Sequence, residues 1–416
     1  MTFIPNKTYI PVSGKVFDDE EINNAIKVAR DGWWTEGEFA KQFERDFKNY
    51  LGVRYVSLVN SGSSANLVAL AALTSSVFGD RALKPGDEFI TTSVAFPTTV
   101  NPGVLHGLKP VFIDAELDTL NIDVSQIEKA ITKKTKLIMV AHTLGRPFDL
   151  GTIMKLKKKY NLWVIEDCCD ALGSTYKERM VGTFGDIATY SFYPAHQITM
   201  GEGGAIVTNH PLIHRSIRQF RDWGRDCWCD TGKDNTCRKR FQWKMGDLPY
   251  GYDHKYIYTQ IGYNVKLTDF QAAIGVAQLK KFPSFLAARR RNYDALYTFF
   301  SKYSQYFQLM KADKDINPSY FGFPLIVKST APFTRTELTE YLEQHKVGTR
   351  NVFSGNLLRH PAYTKLKKKI RVVGTHTNAD IVMNNAFWIG VYPGIDAQRL
   401  AYMKQVFTEF IRLKTT

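Results

Sequence analysis

Long apolar runs are missing from this sequence. No run approaches the roughly 18 residues that a membrane-spanning helix needs. The first residues, MTFIPNKTYIPVSGKVFDDEE, have no apolar segment behind a basic start, so they predict no signal peptide. Internal repeats and low-complexity segments are missing as well. We therefore expect a soluble, cytoplasmic, globular protein that makes no contact with a membrane.

Motifs of nucleic-acid-binding modules are also missing, since there is no zinc-finger, RRM or KH pattern. The net charge of +15 is compatible with an anionic small substrate, an acidic protein partner or an unevenly solvated surface. The short basic runs RRR (289–291) and KLKKKIR (365–371) stand apart from aromatic residues that could stack on bases. We expect no nucleic-acid partner.

Cysteine is scarce, with five residues in 416, which is too few for a disulfide framework. The five are nevertheless clustered. Cys168 and Cys169 are adjacent, and Cys227, Cys229 and Cys237 fall within eleven residues. Such clustering calls for a chemical or structural explanation.

Strand and helix patterns alternate through the first two thirds of the chain. Strand-like runs are RYVSLVN, EFITTSV, PVFIDA, KLIMVAH, LWVIED, IATYSFY and GAIVT, with helical patterns between most of them. This alternation predicts an α/β fold with a mostly parallel sheet covered on both faces. A length of 416 residues favours two domains, and Pro283 interrupts a long helical pattern. We place a large domain at 1–280, with a cysteine-rich loop at about 225–250, and a smaller α+β domain at 281–416.

Three segments are candidates for a ligand site. NSGSSAN (60–66) joins a strand to a helix, where free backbone N–H groups can bind a phosphate, although most such turns are only turns. VIEDCCD (164–170) places acids at the end of an apolar strand, where they can bind a ligand or cap the next turn. SFYPAHQITMGEGG (191–204) is a glycine-rich loop between two strands.

Taken in this order, the segments resemble the sugar aminotransferase-like family of DegT/StrS type, which uses pyridoxal phosphate (PLP). The resemblance extends to AFPTTVNPGVLHGLKPVFIDAELDTLNID, VAHTLGRPFD and IGYNVKLTDFQAAIGVAQL, and so to nearly the whole chain. It implies fold type I, with a large domain and a smaller α+β domain. It also implies a homodimer, because Asn264 would reach the cofactor phosphate of a second subunit.

The resemblance implies a role for each matching residue. Gly62, Ser63 and Ser191 would bind the phosphate, Phe96 would stack on the ring, and Asp167 would pair with the pyridine nitrogen. Asp170 would take the position that contacts the ring hydroxyl, where the family usually has glutamine. The larger departure is His196, which takes the place of the lysine that binds the cofactor covalently. No lysine occurs between Lys177 and Lys233.

A histidine at this position changes the expected chemistry. Imidazole cannot form the covalent link to PLP, so the cofactor would be held non-covalently, as pyridoxamine phosphate (PMP). His196 is suited to take a proton from the C4′ carbon of the cofactor, which leads to dehydration of a keto sugar rather than amination. A decayed enzyme or an engineered lysine replacement are the alternatives.

The spacing Cys169-x57-Cys227-x-Cys229-x7-Cys237 resembles that of the 3-dehydrases of 3,6-dideoxysugar biosynthesis, which carry a [2Fe–2S] cluster. Buried packing and a tetrahedral zinc site are the alternatives. Cys168 has no place in the pattern; we expect it in the core, or as the ligand if the spacing is shifted by one.

These resemblances imply C-3 deoxygenation of a nucleotide-activated 4-keto-6-deoxyhexose, of the kind used for lipopolysaccharide O-antigens, with the CDP-linked glucose derivative favoured. They also imply a separate flavin iron–sulfur reductase that supplies electrons from NAD(P)H. The alternatives are a dTDP-sugar 3-dehydratase with the same cluster and a non-catalytic relative that binds sugar nucleotides. The GDP-sugar 3-dehydratases share the histidine but lack the cysteine set.

Overall fold

A computed structural model describes residues 3–415. Its helices are α1 (Asp19–Asp31), α2 (Glu38–Leu51), α3 (Gly62–Ala72), α4 (Pro97–Leu105), α5 (Ile127–Ala130), α6 (Leu150–Tyr160), α7 (Pro211–Arg221), α8 (Asp269–Phe300), α9 (Arg335–Gln344), α10 (Pro361–Thr364), α11 (Thr377–Asn385) and α12 (Ala397–Thr415). Its strands are β1 (Tyr55–Val59), β2 (Glu88–Thr92), β3 (Lys109–Ile113), β4 (Thr135–Ala141), β5 (Trp163–Asp167), β6 (Thr175–Tyr176), β7 (Arg179–Met180), β8 (Ile187–Ser191), β9 (Gly204–Thr208), β10 (Phe307–Gln308), β11 (Ile316–Asn317), β12 (Gly322–Val327), β13 (Thr349–Arg350), β14 (Arg371–Val372) and β15 (Ala386–Gly390). All seven strand-like runs of the sequence form strands.

The large sheet has eight strands in the order β1-β9-β8-β5-β4-β2-β3-β14. Neighbours from β8 to β14 pair in parallel, whereas β9 runs antiparallel to both β1 and β8. The central strands are apolar on both faces because helices cover both sides of the sheet. One apolar cluster includes side chains of α2, α6 and α8, and a second includes side chains of α3, α4 and α7. The predicted α/β architecture is therefore confirmed.

Local signals set the ends of the first helices. Asp18 and Glu21 form a capping box at the start of α1. Gly32 and Gly52 follow α1 and α2 with positive φ angles of 76° and 69°, which glycine adopts without steric cost. Each glycine ends a helical pattern in the sequence, DDEEINNAIKVARDG and GEFAKQFERDFKNYLG respectively, and a glycine in that place predicts a helix stop.

The second sheet, β10-β12-β15-β13, lies in the C-terminal part of the chain. The proposed boundary at residue 280 falls inside α8, a continuous helix of 32 residues that includes Pro283. Phe282 packs in the core of the large sheet, and Leu296 packs in the core of the second sheet. Burial at both ends thus holds the helix through a proline that would otherwise interrupt it. The division into two domains stays a prediction.

This architecture brings the end of a strand, the start of a helix and a connecting loop to one edge of the large sheet. Strand β5 ends at Asp167, helix α3 starts at Gly62 directly after β1, and residues 192–203 connect β8 to β9. The carboxyl edge of a parallel sheet is where ligands bind in open α/β folds. Among the helices of residues 3–415, none has the length and apolar character needed to cross a bilayer.

Candidate cofactor-binding and active site

A cavity of about 430 Å³ opens at this edge of the large sheet. The second sheet closes its other side through side chains such as Trp388 of β15 and Arg350 of β13. The volume suits a cofactor-sized ligand. Eight residues singled out from the sequence share its lining: Gly62, Ser63, Phe96, Asp167, Cys169, Asp170, Ser191 and His196.

The start of α3 forms the first part of the cavity. Ser61 caps this 11-residue helix by accepting a hydrogen bond from the N–H of Ser64. The N–H groups of Gly62 and Ser63 donate to no acceptor within residues 3–415. A Cβ atom at Gly62 would lie 2.4 Å from the Cβ of Ser191. The free N–H groups at this helix start, beside the Ser191 side chain, fit a phosphate.

Asp167 lines the same cavity at the end of β5. Its Oδ2 atom accepts hydrogen bonds from Asn66 at 2.8 Å and from Thr99 at 2.7 Å. Its Oδ1 atom accepts one from the N–H of Cys169 at 3.1 Å. A carboxylate offers about four acceptor positions, so one is left for a ligand N–H. This geometry fits a protonated pyridine nitrogen.

Aromatic side chains stand at the mouth of the cavity. Phe96 is the N-cap residue of α4, is half exposed, and lies edge-on to Phe353 with their centroids 6.3 Å apart. Tyr193, also half exposed, lines the same opening. Phe96 is thus available to a planar ligand, as expected from the sequence.

The imidazole of His196 projects into the cavity with 14% of its side chain exposed. Its Nδ1 atom lies 3.4 Å from Oδ1 of Asp170, at the long end of hydrogen-bond range. Nδ1 is buried and has no other partner. Nε2 is accessible and makes no hydrogen bond within the described residues. Nε2 is therefore the ring nitrogen that a ligand can reach.

Buried charges lie next to His196. Burial raises the pKa of Asp170, and the neighbouring His196 opposes that shift. Burial lowers the pKa of Arg289 to about 10, against the attraction of Asp170. The Nη2 atom of Arg289 donates to the backbone carbonyl of His196 at 2.9 Å. The histidine segment is thus held between a buried acid and a buried cation.

Three of the predicted cluster ligands lie in one loop, and each sulfur faces a polar hydrogen. Burial raises the pKa of Cys227. Burial also acts to raise the pKa of Cys229, but hydrogen bonds from Thr236, Cys237 and Cys227 lower it to about 7. The N–H of Lys239 donates to the Sγ atom of Cys237 at 3.4 Å. Such N–H···S contacts are suited to thiolate ligands.

Cys169 is placed differently from these three. Its Sγ atom lines the cofactor cavity, 3.1 Å from the position that a Cβ atom would take at Gly62. No three of the four predicted ligand sulfurs lie within 4.8 Å of one another in the described structure. A tetrahedral zinc site would place three sulfurs about 3.8 Å apart, given a Zn–S distance of about 2.3 Å. The described side chains therefore hold no preformed three-sulfur zinc site.

Cys168 is fully buried, as expected from the sequence. Its ligand atom lies within 4.8 Å of those of His142 and Glu166, the one metal-capable triple found among residues 3–415. Both partners are already engaged: Nδ1 of His142 accepts from the N–H of Phe148, and Nε2 lies 3.2 Å from Glu166. We therefore assign Cys168 to the core.

The structure also shows residues that the sequence did not reveal. Asn66 and Thr99 orient Asp167, and Arg289 holds His196 from a helix more than 90 positions away. None of them carries a local pattern that predicts such a contact. Asn264, in contrast, does not line this cavity; it is exposed and accepts from Nζ of Lys266 at 2.8 Å.

Comparison with known proteins gives the same family as the motifs of the sequence. The model of the DegT/DnrJ/EryC1/StrS aminotransferase family matches residues 15–407. The lipopolysaccharide biosynthesis protein RfbH of Salmonella typhimurium is 50% identical over 411 residues, which cover 99% of this chain and 94% of that protein. The dTDP-4-dehydro-2,6-dideoxy-D-glucose 3-dehydratase of Saccharopolyspora spinosa is 47% identical over 410 residues, covering 99% and 88%.

A solved structure shares the whole architecture. The E. coli GDP-4-keto-6-deoxy-D-mannose-3-dehydratase with bound hydrated PLP superimposes with a TM-score of 0.85 at 29% identity. The match covers 96% of this chain and 99% of that one. The predicted fold type is thereby confirmed.

Proposed function

This chain belongs to the DegT/DnrJ/EryC1/StrS aminotransferase family, and on that basis we propose that it is a PMP- and iron–sulfur-dependent 3-dehydratase. Its substrate would be a nucleotide-activated 4-keto-6-deoxyhexose, and its product the 3-deoxy sugar of a deoxysugar pathway. One observation carries the proposal: His196, which by the resemblance takes the position of the family's cofactor-binding lysine, lines the cavity with Nε2 open to it.

Bound PMP would supply an amine for condensation with the keto sugar and a ring that takes up electrons. Gly62, Ser63 and Ser191 would hold its phosphate, Phe96 would cover the ring, and Asp167 would accept from the ring nitrogen. His196 would take the C4′ proton on Nε2. The aromatic side chains of Phe96 and Tyr193 at the mouth of the cavity would limit access of water to the reacting atoms.

A [2Fe–2S] cluster is the second cofactor of the proposal, with Cys169, Cys227, Cys229 and Cys237 as ligands. It would supply, one at a time, the two electrons that conversion of the dehydrated sugar to a deoxy sugar requires. The cysteine spacing supports this ligand set, and so do the polar hydrogens at the three loop sulfurs. The position of Cys169 beside the cofactor cavity would bring that ligand close to the chemistry.

The electrons would come from a separate flavin iron–sulfur reductase that uses NAD(P)H. Arg225, Arg238 and Lys239 are free of salt bridges among the described residues, so they can attract an acidic partner, whereas Arg240 is paired with Asp253 at 2.6 Å. The expected homodimer, in which Asn264 serves the second subunit's cavity, and the cytoplasmic location stay predictions.

We propose CDP-4-keto-6-deoxy-D-glucose as the substrate. Arg350 lines the cavity and has no salt bridge among the described residues, so it can bind a diphosphate, although its Nη1 atom donates to the carbonyl of Thr349. Arg359 lies outside the cavity and pairs with Asp380. A dTDP-linked sugar is the second candidate, because the relative that is 47% identical carries a name for such a substrate.

Anaerobic purification tests the cofactors. We expect about two iron and two sulfide per chain, with visible absorption that dithionite bleaches. We also expect the protein to dehydrate CDP-4-keto-6-deoxy-D-glucose faster than the dTDP- and GDP-linked sugars when PMP and a chemical reductant are present.

The outcomes separate the parts of the proposal. Zinc, or no metal after reconstitution, would contradict the cluster. Equal or faster turnover of the dTDP sugar would replace the CDP assignment. Release of an amino sugar in place of the dehydration product would contradict the dehydratase.

A further inference from the structure

The segment that carries His196 is tied to its surroundings by three polar contacts. Arg289 on α8 donates from Nη2 to the carbonyl oxygen of His196 at 2.9 Å. Gln197 donates from Nε2 to the carbonyl oxygen of Asp170. The Asp170 carboxylate, in turn, lies 3.4 Å from Nδ1 of the His196 ring. The contacts hold both the backbone and the ring of His196.

The contact between Asp170 and His196 distinguishes the two ring nitrogens. Nδ1 of His196 and Oδ2 of Asp170 are both buried and lack a hydrogen-bond partner. Since a carboxylate is an acceptor only, it favours the tautomer that carries its proton on Nδ1. Nε2 then has a free lone pair facing the cavity. Hydrogen bonds of this kind are often long before the ligand binds.

Arg289 is an unusual neighbour because it is only 1% exposed. Its Nη1 atom donates to the carbonyl oxygens of Tyr320 and Phe321, both at 3.2 Å, and its Nε atom is unpaired. No carboxylate lies within 4 Å of its guanidinium in the part of the chain described. A buried cation without an adjacent anion is costly, so a role beyond packing is needed to explain it.

We propose that Asp170 and Arg289 are positioning residues for His196: Asp170 orients the ring through Nδ1, and Arg289 clamps the backbone, so that Nε2 faces the reacting carbon. This inference rests on the proposed role of His196 as the base. It also explains why an acid stands at position 170, where the resemblance leads one to expect glutamine, since a carboxylate selects one imidazole tautomer and an amide does not.

Nitrogen NMR of the full-length protein labelled with 15N-histidine tests the orientation directly, with and without PMP. The His196 signals are those lost in His196→Asn. We expect the wild type to carry its proton on Nδ1, and Asp170→Asn to lose this preference. Asp170→Glu should restore part of it. Exchange of the C4′ hydrogen of PMP with solvent should slow about 100-fold or more in Asp170→Asn.

Arg289→Met tests the clamp, with the exposed neighbour Arg291→Met as the matched control. We expect Arg289→Met to slow C4′ exchange while the Kd for PMP changes little, and Arg291→Met to behave as the wild type. A proton on Nε2 in the wild type would overturn the proposal even if the Asp170 variants fail to fold. So would an unchanged tautomer in folded Asp170→Asn.

The same data separate this inference from the proposed function. An Nδ1-protonated His196 that never exchanges the C4′ hydrogen would refute the role of His196 as the base and leave the positioning intact. Normal exchange with the proton on Nε2 would refute the positioning alone.

Discussion

Replacing Gly62 with alanine tests whether the start of α3 binds the cofactor phosphate. The φ angle of Gly62 lies outside the left-handed region, so alanine is allowed there and even gains up to about 1 kcal/mol of helix propensity. The new Cβ atom, however, would lie 2.4 Å from the Cβ of Ser191 and 3.1 Å from the Sγ of Cys169. These groups must move, and they are the walls of the proposed phosphate site.

Overpacking of this kind costs about 1–3 kcal/mol of folding free energy. We expect the displaced groups to move into the phosphate site, so a comparable loss of binding free energy, about 1–3 kcal/mol, predicts a roughly 5- to 150-fold higher Kd for PMP. Calorimetric titration of the folded variant with PMP measures this Kd. Gly52→Ala is the matched control: it places a Cβ at a positive φ angle of 69° with no atom within 4 Å, so it costs stability without touching the cavity. A folded Gly62→Ala protein with the wild-type Kd would show that the phosphate lies elsewhere.

Three further predictions concern the cluster, the base and a buried acid. Cys229→Ser should lose iron and sulfide while Cys168→Ser retains both; equal retention in iron assays would remove the loop cysteines from the ligand set. His196→Asn should abolish C4′ hydrogen exchange, and His196→Lys should bind PLP covalently, as borohydride reduction and mass spectrometry would show; exchange at the wild-type rate in the first variant would contradict the base. Burial, and then the charge of Glu36, raises the pKa of Glu44 from 4.5 to about 7, so the wild type should lose stability as the pH rises from about 4.5 to 7, where the unfolded chain ionises first. Glu44→Gln should therefore be more stable than the wild type at pH 8 and melt at a higher temperature. The gain in free energy of unfolding should be at most about 3 kcal/mol because the side chain is partly accessible. At pH 4 the two proteins should melt at the same temperature, and melting curves that coincide at both pH values would refute the buried-acid assignment.

The cysteine loop shows where pattern and packing differ. Its sequence spacing predicts four ligands for one cluster, and the structure places three of them where polar hydrogens face their sulfurs. The fourth, Cys169, lies two residues after Asp167, the last residue of β5, and therefore lines the cofactor cavity with it. Spacing along a chain indicates which residues share a chemistry, but it carries no information about the distance between two loops.

Helix α8 shows the same limit for domain organisation. Pro283 is a local breaker, and a reading of local pattern places a boundary near it. The helix continues because Phe282 and Leu296 are buried in two different cores. Those cores form from strands far away in the sequence, so tertiary packing overrides the local preference.

By itself, the sequence determined the alternation of strands and helices and the glycine stops of α1 and α2, because periodicity and turn chemistry act within a few positions. The cavity residues from Gly62 to His196 were predicted through the resemblance of their motifs to a known family. The tertiary structure alone decided that Asn66 and Thr99 hold Asp167, that Arg289 clamps His196, and that Asp170 faces an imidazole nitrogen. Each of these contacts joins segments between 26 and 101 positions apart. Such contacts exist only once the sheet has brought its strand ends to one edge, and that assembly depends on the packing of the whole core.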